Sequence, residues 1–263
     1  MVSRFQPYTR FAGIAYCPAE LTANWTCGAN CETLSGFIPL AAGGDGDEMQ
    51  YWYVGYYPSH DTIIVSHEGL QVEELLADVT VLSFSLVHLD QINFPETRKM
   101  RVHAGFAAEQ MKSAPFVLVA VKQGLAQYKT RNVTIVGHSL GAAIGLLDAL
   151  FLSLQLSQEI SLKFIGYGMP RVGDAAFAAY MDTHLKDLTR INNREDFVPI
   201  IPGKFMGFRH THGEIHIDDD GSWHPCSKDD DPSIKCSTGD VSNIFVGDVK
   251  DHDGPYDGII ISC

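Results

Sequence analysis

Val133-Thr-Ile-Val-Gly-His-Ser-Leu-Gly-Ala-Ala-Ile-Gly145 is the stretch on which the reading of this chain turns. A β-branched run breaks into Gly-x-Ser-x-Gly and then into small residues, the pattern of a buried strand turning sharply into a helix. A serine at such a turn sits in strained backbone geometry, so Gly137 and Gly141 are needed where a Cβ would meet the neighbouring strand and helix. The turn lifts the Ser139 hydroxyl clear of the sheet. It also aims the helix N-terminus, with the backbone N–H of Leu140, at the place where a tetrahedral oxyanion would form. Ala142 to Leu154 is predominantly apolar and free of proline, as expected of a helix buried against a sheet.

Upstream, Tyr51 to Tyr57 and Thr62 to Ser66 are aromatic and β-branched runs separated by Pro58-Ser-His-Asp, which predicts adjacent antiparallel strands. A long helix from about Gly105 to Tyr128, with a bend near Pro115, leads into the serine strand. Downstream, strands are expected at Ser161 to Tyr167, Asp187 to Asn192 and Ile244 to Val246, with a helix over roughly Asp174 to His184. Strands alternating with helices predict a mixed, mainly parallel central sheet with helices on both faces, and functional groups gathered beyond the strands' carboxyl ends.

A nucleophilic serine needs a histidine to take its proton and a carboxylate to hold that histidine's tautomer, in the chain order Ser, acid, His for this arrangement. Asp196 follows the strand that ends near Ile191-Asn-Asn and is preferred over its neighbour Glu195. Downstream histidines are His210, His212, His216, His224 and His252; His252 stands out because it lies past the final expected strand, near Cys263. The chemistry expected is ester hydrolysis, without metal or cofactor.

The 263 residues suit one domain, 1–263, with no Pro/Gly/Ser-rich linker. A hydrophobic fraction of 45% and a charged fraction of 19% describe a globular chain with a sizeable core. No stretch approaches about 18 uninterrupted apolar residues, so no transmembrane segment is expected. The first residues, Met-Val-Ser-Arg-Phe-Gln, lack an apolar signal core, which fits a mature chain with a replaced leader or a chain without one.

The six cysteines, Cys17, Cys27, Cys31, Cys226, Cys236 and Cys263, favour the first of these. They allow many pairings, of which loop closure favours Cys27 with Cys31 and Cys226 with Cys236, leaving Cys17 to Cys263. The competing reading is a zinc site on Cys17, Cys27 and Cys31, which lacks a second matching half. Asn24-Trp-Thr and Asn132-Val-Thr are glycosylation sequons, with Asn24 in a cysteine-rich loop the better acceptor. These features predict a secreted protein. The net charge of -13 excludes nucleic acid as a partner and disfavours anionic membranes. The acidic runs Asp218 to Asp220 and Asp229 to Asp231 lack calcium-loop spacing and are expected as solvated loops.

Five motifs spread over most of the chain carry a resemblance: Val102-His-Ala-Gly-Phe, Gly137-His-Ser-Leu-Gly-Ala-Ala, Gly168-Met-Pro-Arg-Val-Gly-Asp, Asp196-Phe-Val-Pro, and His252 with the Gly-Pro-Tyr that follows it. Together they resemble the secreted fungal class 3 lipases, the filamentous-fungus triacylglycerol lipase family that also includes feruloyl esterases and some phospholipases. The resemblance implies an α/β-hydrolase fold, Ser139, Asp196 and His252 as the triad, and a disulfide joining the N-terminal part to the C-terminus, consistent with Cys17 to Cys263. It implies a lipid or other ester substrate, taken at an oil–water interface. A soluble-ester esterase with a fixed lid and an inactive lipid-binding relative are the alternatives.

One departure stands out. Where the family has a segment like Phe-Arg-Gly-Thr ahead of its first oxyanion donor, this chain has His67-Glu-Gly-Leu. Leu70 offers a backbone N–H but no hydroxyl, and losing that contact costs about 2–4 kcal/mol of transition-state stabilisation if nothing replaces it. Glu68 stands where the family has a basic residue. The segment Gln71 to Thr80 falls at the family's lid, with Val72, Leu75, Leu76 and Val79 on one helical face and Glu73, Glu74 and Asp78 opposite.

Overall fold

The computed structural model describes residues 2–71 and 84–263. The expected lid residues Val72, Leu75, Leu76 and Val79 therefore lie outside the described residues.

Strand β1 (Ile38–Gly43), β2 (Trp52–Tyr57), β3 (Thr62–His67), β6 (Asn132–His138), β7 (Ser161–Tyr167), β9 (Asp187–Asn193), β11 (Glu214–Ile217) and β12 (Trp223–Pro225) form one eight-stranded sheet in the order β1-β2-β3-β6-β7-β9-β11-β12. The five central strands, β3, β6, β7, β9 and β11, are mutually parallel. β1 and β2 at one edge and β12 at the other are antiparallel additions. A second sheet, entirely antiparallel, runs β10-β8-β5-β4, from Phe208–Arg209, Gly173–Asp174, Arg101–His103 and Leu86–His88.

Side chains alternate across a strand, and both faces of the large sheet are covered. On one face Val54, Ile63, Val65, Val133, Ile135 and Phe164 pack with helices α4 (Ala104–Tyr128) and α5 (Leu140–Gln155). On the other, Tyr53, Ile64, Val136, Ile165 and Tyr167 pack with α1 (Gln6–Ile14) through Phe11 and Ile14. α2 (Ala19–Asn24) and α3 (Ala29–Thr33) follow α1, α6 (Ala175–His184) lies between β8 and β9, and the short α7 (Ser237–Asp240) is in the C-terminal region. α4 continues through Pro115, which is exposed and leaves the carbonyl one turn earlier without its N–H partner in the helix. α6 starts where the Asp174 carboxylate accepts the N–H of Phe177.

α5 buries every residue from Leu140 to Leu152, Asp148 included. That carboxylate is satisfied by His67 Nε2 at 2.7 Å and Gln110 Nε2 at 2.8 Å, tying the end of β3 and helix α4 to α5. Disulfides join Cys17 to Cys263, Cys27 to Cys31 and Cys226 to Cys236, so none of the three cysteines of the zinc alternative is a free thiolate. Asn24 closes α2, a helix where a loop was expected; it is exposed, and its amide donates to Glu20 O. The Asn132 amide, at the start of β6, donates to Asp61 O.

Two expectations are corrected. Ile244 to Val246 is a turn, closed by Val246 N–H to Asn243 O and Phe245 N–H to Asn243 Oδ1, with Phe245 92% exposed. The second acidic run is not a solvated loop, because Asp230 is buried in an ion pair with Arg171. Short strands β1, β4, β5, β8, β10, β11 and β12 were not foreseen, and several of them are only two to four residues long.

Close packing at the strand-to-helix turn has a measurable consequence. A Cβ on Gly141 would lie 2.6 Å from Glu68 O, with no flexible group to give way. Gly141→Ala is expected to lower stability by about 1–3 kcal/mol in urea unfolding; an unchanged midpoint would contradict this packing.

Candidate active site

Ser139 joins β6 to α5 with φ 56° and ψ −129°, a conformation that non-glycine residues rarely adopt. Its N–H donates to Tyr167 O across the sheet, and its carbonyl accepts the N–H groups of Ala142 and Ala143 as the helix begins. Leu140 and Gly141 occupy the first helical positions, whose N–H groups have no partner within the helix and point beyond its N-terminus. The end of β3 runs alongside: a Cβ on Gly69 would fall 2.7 Å from His138 O and 2.9 Å from Ser139 Cβ. Leu70 therefore follows a backbone pressed against the serine turn. Glu68, the family's basic position, is buried and accepts the N–H of Tyr51 at 2.9 Å.

Asp196 and His252 meet although 56 residues separate them: His252 Nδ1 lies 2.8 Å from Asp196 Oδ2, both side chains fully buried. The other carboxylate oxygen accepts the N–H of Val198 at 2.9 Å. A carboxylate cannot donate, so Nδ1 carries the proton and Nε2 is left with the lone pair. Gly168, at φ 51°, opens the space for this pair; a Cβ there would stand 2.8 Å from the imidazole and 3.0 Å from the carboxylate. His252 Nε2 and Ser139 Oγ are both buried and have no hydrogen-bond partner among the described residues. Nε2 is thus free to accept and the hydroxyl free to donate.

What steadies the imidazole from behind had no signal in the spacing of motifs. His138, the residue before Ser139, packs against the His252 ring at a centroid distance of 4.3 Å, the two planes tilted by 39°. Its Nε2 donates to His252 O at 2.9 Å, and Tyr256 Oη donates to the same carbonyl at 2.9 Å. With Nε2 protonated, Nδ1 is the acceptor, and the Tyr16 hydroxyl donates to it at 2.6 Å. Burial, then the adjacent His252 imidazole, which would repel a second cation, holds His138 well below the usual histidine value, so the ring is neutral.

The loop carrying Asp196 is held by Arg171, from the Gly168 motif. Its guanidinium donates to Ile200 O and Pro202 O and pairs with Asp230 at 2.6 Å, both side chains being buried. Burial alone would raise the Asp230 carboxyl, but the neighbouring His210, through its ring and its backbone N–H, and the Arg171 guanidinium outweigh it and hold it below the ordinary carboxylate range. Glu195, the alternative acid, is exposed. The alternative histidines are engaged elsewhere: His210 with Pro199 O, His212 with Asp182, His216 with Arg194 O and His224 with Asp218.

A cavity of about 290 Å³ opens over Ser139, lined mainly by Leu70, Phe84, Phe106, Leu140, Val198 and Ile201. Its wall is apolar, apart from Ser139, His103 and a rim of Asp47, Gln50 and Glu109.

A mainly parallel sheet with a serine at its strand-to-helix turn, and an imidazole–carboxylate pair beyond the strands' carboxyl ends, defines the α/β-hydrolase class. The model of the family described as Lipase (class 3) matches residues 66–206. The chain belongs to the class 3 lipase family. It is 37% identical over 183 residues to a secreted mono- and diacylglycerol lipase of Malassezia globosa, a match covering 68% of this chain and 59% of that protein. A lipase of Rhizomucor miehei is 28% identical over 257 residues, covering 91% of this chain and 63% of that one. The chain therefore spans about three fifths of the length of these curated relatives. Among solved structures, the native Rhizomucor miehei lipase–propeptide complex superposes with a TM-score of 0.83 at 27% identity, covering 100% of this chain and 82% of that one. A triacylglycerol lipase whose catalytic centre is described as a serine-protease triad gives 0.84 at 27% identity, covering 99% and 95%.

The Arg171–Asp230 pair generates a stability prediction. Asp230→Asn leaves a buried guanidinium uncompensated, and a loss of about 3–5 kcal/mol is expected in chemical unfolding at neutral pH. Since the folded carboxyl lies below the unfolded value near 3.9, its contribution is full above that pH and falls away as acidification proceeds toward the folded value. The stability gap between wild type and Asp230→Asn should therefore narrow below about pH 4.

Proposed function

We propose that this protein is an extracellular carboxylic ester hydrolase, a triacylglycerol lipase, working through Ser139, His252 and Asp196 on a single domain of residues 1–263. The observation that carries the reading is the buried 2.8 Å contact of His252 Nδ1 with Asp196 Oδ2 beside a serine held at φ 56°. His252 Nε2 takes the proton from Ser139 Oγ as the oxygen attacks the ester carbonyl, and Asp196 holds the imidazolium that forms. The N–H groups of Leu140 and Leu70 receive the oxyanion. As the tetrahedral intermediate collapses, His252 returns the proton to the departing alcohol. Water then repeats the sequence on the acyl-serine and releases the fatty acid.

The apolar cavity supports an acyl substrate. Charge works in the same direction, because a net charge of -13 disfavours anionic surfaces and suits a neutral ester interface. No helix among the described residues is long and apolar enough to cross a membrane. Secretion is supported by three disulfides and by the naming of the Malassezia globosa relative as secreted. Exposed Asn24 is the proposed glycan acceptor, whereas Asn132 has its amide committed to Asp61. Val72, Leu75, Leu76 and Val79 are proposed to form the apolar face of a lid that uncovers the cavity at an oil surface.

The test is the hydrolysis rate of a medium-chain triglyceride followed across its solubility limit, for wild type and Ser139→Ala. A jump in rate at the appearance of emulsion is expected, with kcat lowered by roughly 10⁴-fold or more in Ser139→Ala. A smooth saturable curve that depends on Ser139 would make the protein a soluble-ester esterase. No Ser139-dependent rate on this or on soluble esters would overturn the reading.

A further inference from the structure

His103 is a buried histidine that the ester-hydrolysis steps leave unused. It closes β5, stands at the N-cap of α4, and is 1% exposed within the wall of the cavity that also contains Ser139. Its Nδ1 accepts the backbone N–H of Phe106 at 3.4 Å, which caps the helix. A nitrogen that accepts holds no proton, so in the neutral ring the proton is on Nε2. Burial lowers the His103 value to about 4, so the neutral form holds at ordinary pH. Nε2–H finds no acceptor among the described residues. The rings around it are those of Phe106, Phe208 and Phe84, at centroid distances of 4.1, 6.0 and 6.1 Å, and none supplies one. A buried donor with no acceptor among the described residues is a standing cost, and in a substrate cavity a substrate atom is the partner that would relieve it.

Resting on the lipase reading above, we propose that His103 Nε2–H is a specificity-determining donor that selects esters carrying an acceptor oxygen (a hydroxyl, epoxide or second ester) on the part of the molecule crossing this wall. A plain hydrocarbon chain leaves the donor unpaired, whereas an oxygenated one pairs it within a low-dielectric pocket. Discrimination built on a hydrogen bond that one substrate makes and another cannot is stronger than discrimination by chain volume. Two sources of that oxygen are chemically equivalent at the donor: a substituent on the acyl chain, or a free hydroxyl or second ester on the alcohol.

The experiment measures kcat/KM in two matched pairs of soluble esters. One pair differs only by a hydroxyl on the acyl chain, the other only by replacing a simple alkyl alcohol with glycerol. Wild type is expected to prefer the oxygenated member of one pair by about tenfold, and the pair that responds identifies the source. In His103→Asn the amide oxygen reproduces the helix cap but withdraws the Nε2 donor, so the preference should collapse toward unity. In His103→Gln the amide nitrogen returns a donor to the Nε2 position and should restore most of the preference. No preference by wild type in either pair overturns the proposal without recourse to any variant. Equal falls of His103→Asn on both members of the responding pair also overturn it, and reduce His103 to a helix cap. Loss of Ser139-dependent hydrolysis on all four esters would instead overturn the lipase reading.

Discussion

The backbone at Ser139 is the constraint from which the site is built. Holding a non-glycine residue at φ 56° is unfavourable by itself, and three glycines make room for it. Gly137 and Gly141 let strand and helix touch across the turn, and Gly69 lets the end of β3 lie against it. The reward is geometric. The hydroxyl stands off the sheet, and the first N–H groups of α5 are directed to the same side. The buried trio of His67, Asp148 and Gln110 holds two of the neighbouring elements to the helix that follows the turn, tying the end of β3 and helix α4 to α5.

Around that turn the long-range parts are assembled by buried hydrogen bonds rather than by secondary structure. His252 lies at the end of a short helical turn, Val249–Asp251, in a region poor in regular elements, yet its carbonyl is held by two donors and its ring by Asp196. Asp196 in turn sits in a loop gripped through Ile200 and Pro202 by Arg171. Each interaction is individually modest, but in a low-dielectric interior an unmade one is expensive. The imidazole is therefore confined to one tautomer and one orientation without lying on a helix or strand.

The parts of this architecture written locally were legible in the sequence. β2, β3, β6, β7 and β9 announce themselves as β-branched or aromatic runs, α4 and α5 as long apolar stretches, and the turn between β6 and α5 as a motif. Strands of two to four residues such as β8 and β10 carry too little pattern and exist because a neighbour pairs with them. Ile244 to Val246 misled for the opposite reason: its apolar run reads as a strand, while the Asn243 side chain bends it into a turn. Asp230 sits among acids that look solvated, and only Arg171, 59 residues earlier, explains its burial. His138 is visible in the motif as a variable position, but its role depends on Tyr16 and His252, each more than 110 residues away.

Cys17 follows Tyr16, whose hydroxyl supports His138, and its disulfide partner Cys263 closes the segment that begins at His252. The bond spans 246 positions in sequence, so nearly all the structure lies inside one covalent loop. A loop differs from a line in how it breaks. A protease that cuts once between these cysteines makes a nick, not two pieces, because the disulfide still joins the two halves at Cys17 and Cys263. Separating them requires a second cut or a reductant, which makes the first proteolytic event at any exposed loop between the two cysteines a change of topology without a loss of mass.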